Sequence, residues 1–179
     1  MPHLVDSNMF LRWANLSAAV RPLAIRAMDK LRSEGTLLHS TPQNCIEFWN
    51  VATRPIPANG LGISPAQTLR LVNRLRSLFP LLPDTGAIFE EWLRIFRSSQ
   101  CPGVRHDARL VAVMLAHGIT HILTFNVRDF QRFELFGTVV VHPSQWLCCI
   151  NPNHAAGCSC SINGTANGRG RRKPTASRG

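Results

Sequence analysis

The chain has 179 residues, 45% of them hydrophobic, a length and composition that suit one domain with a sizeable core. Only 17% are charged, which excludes a disordered polyampholyte, and no apolar run approaches the roughly 20 residues that span a bilayer. Twenty Lys and Arg against ten Asp and Glu leave a net charge of +10, which favours phosphate-rich partners, although solubility alone also accounts for such a charge. Five of the basic residues (Arg169, Arg171, Arg172, Lys173, Arg178) fall near the C-terminus, and the remaining fifteen still outnumber the acids. Asp6 interrupts the first apolar stretch, unlike a signal peptide, so the cytoplasm is the expected location. Of the six Cys, Cys45 and Cys101 are isolated and four crowd the tail; free thiols are expected.

Residues 2–6 (PHLVD) read as a short buried strand that ends at an acid. Apolar positions at helical spacing predict a helix over 18–32, stopped by Gly35, and 36–40 (TLLHS) reads as a second strand. Thr41-Pro42 is a helix start, a capping hydroxyl followed by Pro at the first helical position, and that helix runs to about Thr53 before Pro55 and Pro57. Ser64-Pro65 repeats the signal, with Leu69, Val72, Leu75 and Leu78 read as one face. A brief strand at 79–82, a helix at 85–98, a loop at Cys101-Pro102-Gly103 and a helix at 107–117 closed by Gly118 follow. Residues 121–125 (HILTF) and 138–142 (TVVVH) read as strands. The alternation of strands and helices predicts an α/β sandwich with a mainly parallel sheet, without internal repeats.

The composition changes after Trp146. Residues 151–179 contain no Leu, Val, Phe, Trp, Met or acid. Such a segment cannot bury enough surface to offset its ordering entropy, which predicts a domain over 1–146 and a flexible basic tail over 147–179. Cys148, Cys149, His154, Cys158 and Cys160 lie there, but their spacing does not resemble a common zinc ribbon or finger.

Four of the ten carboxylates fall at strand exits or on helices that should pack on the sheet. Asp6 ends the first strand, where parallel sheets gather their sites; Asp-Ser-Asn also favours a plain turn. Glu47 lies among Cys45, Ile46, Phe48, Trp49, Val51 and Ala52, apolar on nearly every side, which reads as a buried helix. An unpaired carboxylate there is costly, so Glu47 should face a cleft, a cation or a metal, with an Arg salt bridge as the plain alternative. Asp107 opens an apolar helix and could simply cap it. Asp129 follows a strand, with pairing to Arg128 or Arg132 as the plain alternative. Hard oxygen ligands converging at one end of a sheet suit Mg²⁺ or Mn²⁺, and such ions can bind a phosphodiester and activate water. Spacing alone does not show that they converge.

The Asp-Ser-Asn near the N-terminus, the Glu in IEFWNVATRP, and the segment VRHDARLVAVMLAHGITHILTFNVRDF together resemble the PIN domain, and more narrowly the VapC-type toxins of toxin–antitoxin pairs. The likeness runs from about residue 2 to 146. It implies a PIN-like three-layer sandwich with the acids at the carboxyl end of a parallel sheet. It also implies that Asp6, Glu47, Asp107 and Asp129 are catalytic carboxylates that hold Mg²⁺ or Mn²⁺, with Ser7 orienting the cluster. Asn126 stands where many relatives carry Asp. The activity implied is endoribonuclease cleavage of RNA by metal-activated water, with neutralisation by a cognate antitoxin and a homodimeric state. The tail departs from the family, whose members of this type usually end soon after the TVVVH strand.

Arg12, Arg54, Arg105, Arg109 and Arg128 lie close in sequence to the acids and could hold RNA phosphates, or else pair with surface acids or with the antitoxin. His106 beside Asp107 suggests a general base, but more often such a residue is a loop His. Two other functions compete: a non-catalytic PIN-fold module that binds RNA or protein, and a Mg²⁺ phosphohydrolase of small phosphoesters. The chain lacks the G-x-x-x-x-G-K loop that would favour the last.

Overall fold

A computed structural model describes residues 1–98 and 105–145, apart from the side chains of Ser98 and Arg105. The loop expected at 101–103 and the tail expected at 147–179, with its Cys and His, lie outside the described residues.

Four short strands form one wholly parallel sheet: β1 (His3–Val5), β2 (Leu38–His39), β3 (His121–Leu123) and β4 (Val139–Val141), in the order β2-β1-β3-β4. Leu4 is in register with Ile122, which pairs with Val140, and Val5 with Leu123, which pairs with Val141. Because successive side chains point to opposite faces, these two rows feed two cores. Val5, Leu123 and Val141 pack beneath α1 (Ser7–Ala14), α2 (Arg21–Ser33), α3 (Pro42–Thr53) and α4 (Pro65–Leu78), through Phe10, Leu31, Phe48 and Leu75. Leu4 and Ile122 pack against α5 (Gly86–Ser98), α6 (Arg105–Ala116) and α7 (Val127–Gln131), through Ile95, Val111, Met114 and Phe130. The result is the expected three-layer α/β sandwich. Among the described residues no helix is long and apolar enough to cross a membrane.

The predicted helix starts hold atom by atom. Thr41 Oγ1 accepts from Asn44 N at 3.1 Å while Asn44 Oδ1 accepts from Thr41 N at 3.0 Å, a capping box, and Ser64 with Gln67 repeats it. Other expectations need correction. The Asp-Ser-Asn turn is instead the start of α1, since residues that favour turns also favour helix N-termini. Helix α7 follows β3 where no helix was expected. The strand at 79–82 reduces to a single parallel bridge between Leu81 and Ser40. The supposed apolar face of α4 is not one face: Leu75 is buried, but Leu69 is 52% and Leu78 40% exposed. A spacing of three falls short of the helical turn of about 3.6 residues, so the row drifts round the axis with each step. Likewise α3 is not buried on every side, because Ile46 is 60% exposed while Phe48 and Ala52 are fully buried.

Candidate active site

The order β2-β1-β3-β4 means the chain leaves β1 for one side of the sheet and later returns to β3 on the other. Beyond the carboxyl ends of such neighbouring strands lies a crevice. Asp6 stands there, immediately after β1 and at the cap position of α1, with its backbone N–H donating to Leu123 O at 3.0 Å. Its carboxylate makes no capping bond. Instead Thr124, just past β3, donates its hydroxyl to Asp6 Oδ2 at 2.6 Å, and Ser7 Oγ lies 3.2 Å from Oδ1. The fully buried Thr124 hydroxyl also accepts from Asn8 Nδ2 and from the Asn126 N–H, both at 2.9 Å. One donated and two accepted bonds exhaust a hydroxyl, so Thr124 is fixed from three directions.

Glu47 reaches the same crevice from the middle of α3, with 27% of its side chain exposed. Ser7 Oγ donates to Glu47 Oε2 at 2.6 Å. Ser7 has one proton and two carboxylates in reach, and the shorter contact takes it; Ser7 thereby joins Asp6 to Glu47. The other oxygen, Oε1, accepts from Gln43 Nε2 at 2.7 Å, one helical turn earlier.

Asp107 enters from the opposite layer, in the first turn of α6. Asp6, Glu47 and Asp107 line a single hollow of about 390 Å³, together with Ser7, Asn8, Asn50, Arg54, His106 and Asn126. Asn126 makes no capping bond to α7 and is among the residues that line this hollow. Asp129, in the first turn of α7, is half exposed and 4.0 Å from Arg132. It stands outside the lining but close enough to act electrostatically on Asp107. The His106 ring is 85% exposed, and its Nδ1 is 3.8 Å from Glu47, too far for a hydrogen bond.

The electrostatics are those of crowded acids. Asp6 is raised from 3.8 to about 6: burial is the largest cause and Glu47 and Asp107 add to it, while the neighbouring Thr124 and Ser7 hydroxyls oppose it. Burial also raises Asp107, with repulsion from Asp129 and Glu47 adding to it and Arg132 and His106 opposing. Three of these acids stand at positive helix ends, Asp6 on α1, Asp107 on α6 and Asp129 on α7, which lessens the cost.

Of the five arginines, Arg54 lines the hollow. It caps the C-terminus of α3, where the chain folds back so that Leu61, Gly62 and Ile63 N–H groups donate to Val51, Arg54 and Ala52 carbonyls at 3.0, 2.9 and 2.9 Å. A Cβ at Gly60 would fall 1.9 Å from the Arg54 carbonyl oxygen, so only glycine fits there. Arg12 and Arg128 are exposed in the last turns of α1 and α7. Arg109 is tied to Asp84 at 2.9 Å and to Gln43 at 3.1 Å. The Arg105 side chain lies outside the described residues. The roles of Thr124, Gln43 and Asn50 escaped the sequence reading, since outside a motif an uncharged residue declares its role only through partners.

Residues 3–134, well over half of the chain, match the family model of the PIN domain. The chain belongs to the PIN domain family. Solved structures agree in fold with this PIN domain. VapBC-1 from nontypeable Haemophilus influenzae aligns at 14% identity and TM-score 0.59, over 80% of this chain and 99% of that one. VapBC2 from Rickettsia felis, bound to a DNA fragment from their promoter, aligns at 10% identity and TM-score 0.60, over 79% and 98%. VapC20 of Mycobacterium tuberculosis, a Sarcin-Ricin loop cleaving toxin, aligns at 16% identity and TM-score 0.54, over 76% and 96%. No match was found among curated proteins.

The donors in the PIN crevice are the hard oxygens that Mg²⁺ or Mn²⁺ prefers, and Asp6 and Asp107 are raised first by burial and then by repulsion from neighbouring acids. Among the described residues no three His, Cys, Asp or Glu side chains form a ready-made ligand set. Hydrogen bonds through Ser7 and Gln43 currently occupy both oxygens of Glu47. The donor chemistry therefore fits a divalent cation.

Proposed function

We propose that this PIN domain is a metal-dependent endoribonuclease toxin, restrained by a cognate antitoxin. The observation that carries this reading is the meeting of Asp6, Glu47 and Asp107, from three different elements, in one hollow beyond β1 and β3. Crowded, mutually repelling carboxylates, one of them buried, are costly for a fold unless a cation offsets them, so their meeting argues for a use. Asp6, Glu47 and Asp107 would hold Mg²⁺ or Mn²⁺, with Asp129 the outermost acid and Asn126 a neutral oxygen donor beside it. A divalent ion in this place supplies polarisation of a phosphodiester and activation of water.

The chain's own residues do the rest. Thr124 and Ser7 aim the Asp6 and Glu47 carboxylates by hydrogen bonds of 2.6 Å. Arg54 brings a positive charge to the same hollow and would hold an RNA phosphate. Arg12, Arg105 and Arg128 would extend the backbone contact, and the excess of basic residues supports attraction to RNA. Likeness in fold to two VapBC assemblies and to a Sarcin-Ricin loop cleaving toxin supports the antitoxin partner and the nuclease reading. The homodimer and the cytoplasmic setting belong to the same reading.

Purified protein is expected to cut structured RNA with Mg²⁺ or Mn²⁺ and to stop with chelator. Asp6→Asn and Asp107→Asn should abolish that cleavage while circular dichroism stays unchanged. Cleavage by either variant at the parent rate would end the proposal.

A further inference from the structure

Glu47 is held from two sides, and one of the two holders has an unusual property. Gln43 is buried, 8% exposed, and its amide bridges two helices. Its Nε2 donates to Glu47 Oε1 at 2.7 Å and to the His106 carbonyl at 3.0 Å, directly before Asp107. Its Oε1 accepts from the Arg109 guanidinium at 3.1 Å, and Arg109 is in turn gripped by Asp84 at 2.9 Å. A glutamine amide can ordinarily turn over and exchange its oxygen and nitrogen. Here it cannot, because a guanidinium has donors only, so the carbonyl oxygen must face Arg109 and the NH₂ must face Glu47 and His106. Helix α3 packs chiefly on α1 and α4, and α6 on α5. The amide thus ties the segment that carries Glu47 to the segment that carries Asp107.

We propose that Gln43, locked in orientation by Arg109 and Asp84, is the positioning residue that fixes Glu47 relative to Asp107. This rests on the reading of the crevice as a metal site. It also assigns Arg109 a duty inside the protein rather than on RNA. Residues that orient a metal ligand commonly change metal affinity or activity by about 10–100-fold when removed.

The test uses the full chain, with Mn²⁺ binding followed by electron paramagnetic resonance and RNA cleavage followed separately. Gln43→Met should weaken Mn²⁺ affinity by about tenfold and lower kcat, with KM for RNA unchanged. Arg109→Met should shift both in the same direction, less steeply, and Arg109→Lys, which keeps a donor for Gln43, should stay near the parent. Because Arg109 acts through Gln43, the double variant should bind Mn²⁺ no more weakly than Gln43→Met alone. Asp84→Ala, at a half-exposed residue with little effect on the core, removes the acceptor for Arg109 and gives the same readout if Gln43→Met fails to fold. Unchanged Mn²⁺ affinity in folded Gln43→Met, or in Asp84→Ala and Arg109→Met together, overturns the proposal. So does a raised KM for RNA in Arg109→Met with Mn²⁺ affinity intact, which would make Arg109 a phosphate contact. A parent chain that binds no Mn²⁺ removes the metal-site reading itself, a different result from a binding parent with unaffected variants.

Discussion

Replacing Asp6 by Asn should stabilise the metal-free protein at neutral pH while removing a ligand of the proposed metal site. Asp6 is 5% exposed and raised from 3.8 to about 6, chiefly by burial. The fold holds this proton to a higher pH than the unfolded chain does. The stability Asp6 contributes is therefore complete below pH 3.8 and lost as pH rises through about 6. That interval corresponds to about 3 kcal/mol. Asn carries no charge to bury and its NH₂ can donate to Ser7 Oγ, but the bond from Thr124 then meets a neutral amide oxygen instead of a carboxylate, a loss of about 1 kcal/mol. The variant should then be more stable than the parent by about 2 kcal/mol at pH 7.5, a rise in Tm of roughly 4–8 °C. At pH 4 it should be slightly less stable. Urea and thermal unfolding in chelator at several pH values measure the difference, and Mn²⁺ at a hundredfold its Kd should add about 2.7 kcal/mol to the parent alone. A stability gap between parent and variant that does not change with pH would refute the reasoning.

Thr124→Val should cost about 2–4 kcal/mol, because Asp6, Asn8 and the Asn126 N–H all lose a partner at once; urea unfolding at pH 7.5 reads it. His3 works in the opposite pH sense from Asp6. Burial lowers it from 6.5 to about 4, so its stabilising effect is present above pH 6.5 and lost as pH falls through 4, a swing of about 3 kcal/mol that His3→Gln should remove from the acid limb of the unfolding curve. Gly60→Ala should lower Tm and weaken RNA binding without altering Mn²⁺ affinity, since its Cβ collides with the Arg54 carbonyl and not with the acids.

The layered sandwich was legible because strand and helix periods are local properties. Thr41-Pro42 and Ser64-Pro65 each announced a helix that the capping boxes then confirmed. Helix α1 was not legible, because Ser7 and Asn8 suit a turn and a helix start equally well, and tertiary packing of Met9 and Phe10 decides between them. Ile46 misled by type: an apolar residue on a short helix need not be buried. At the site, the acids could be nominated one by one, but their meeting depended on strand order. The hydroxyl that holds Asp6 comes from 118 residues away, and the carbonyl that anchors Gln43 from 63. No local pattern encodes such distances.

The stitching of the segment after α3 onto the last turn of that helix has a mechanical consequence. With Val51, Ala52 and Arg54 carbonyls all engaged and Gly60 flush against the last of them, the root of the Arg54 side chain is anchored. If Arg54 holds a phosphate as proposed, capture would quiet only the outer stem of one arginine rather than a whole wandering loop, and the entropy lost would stay small.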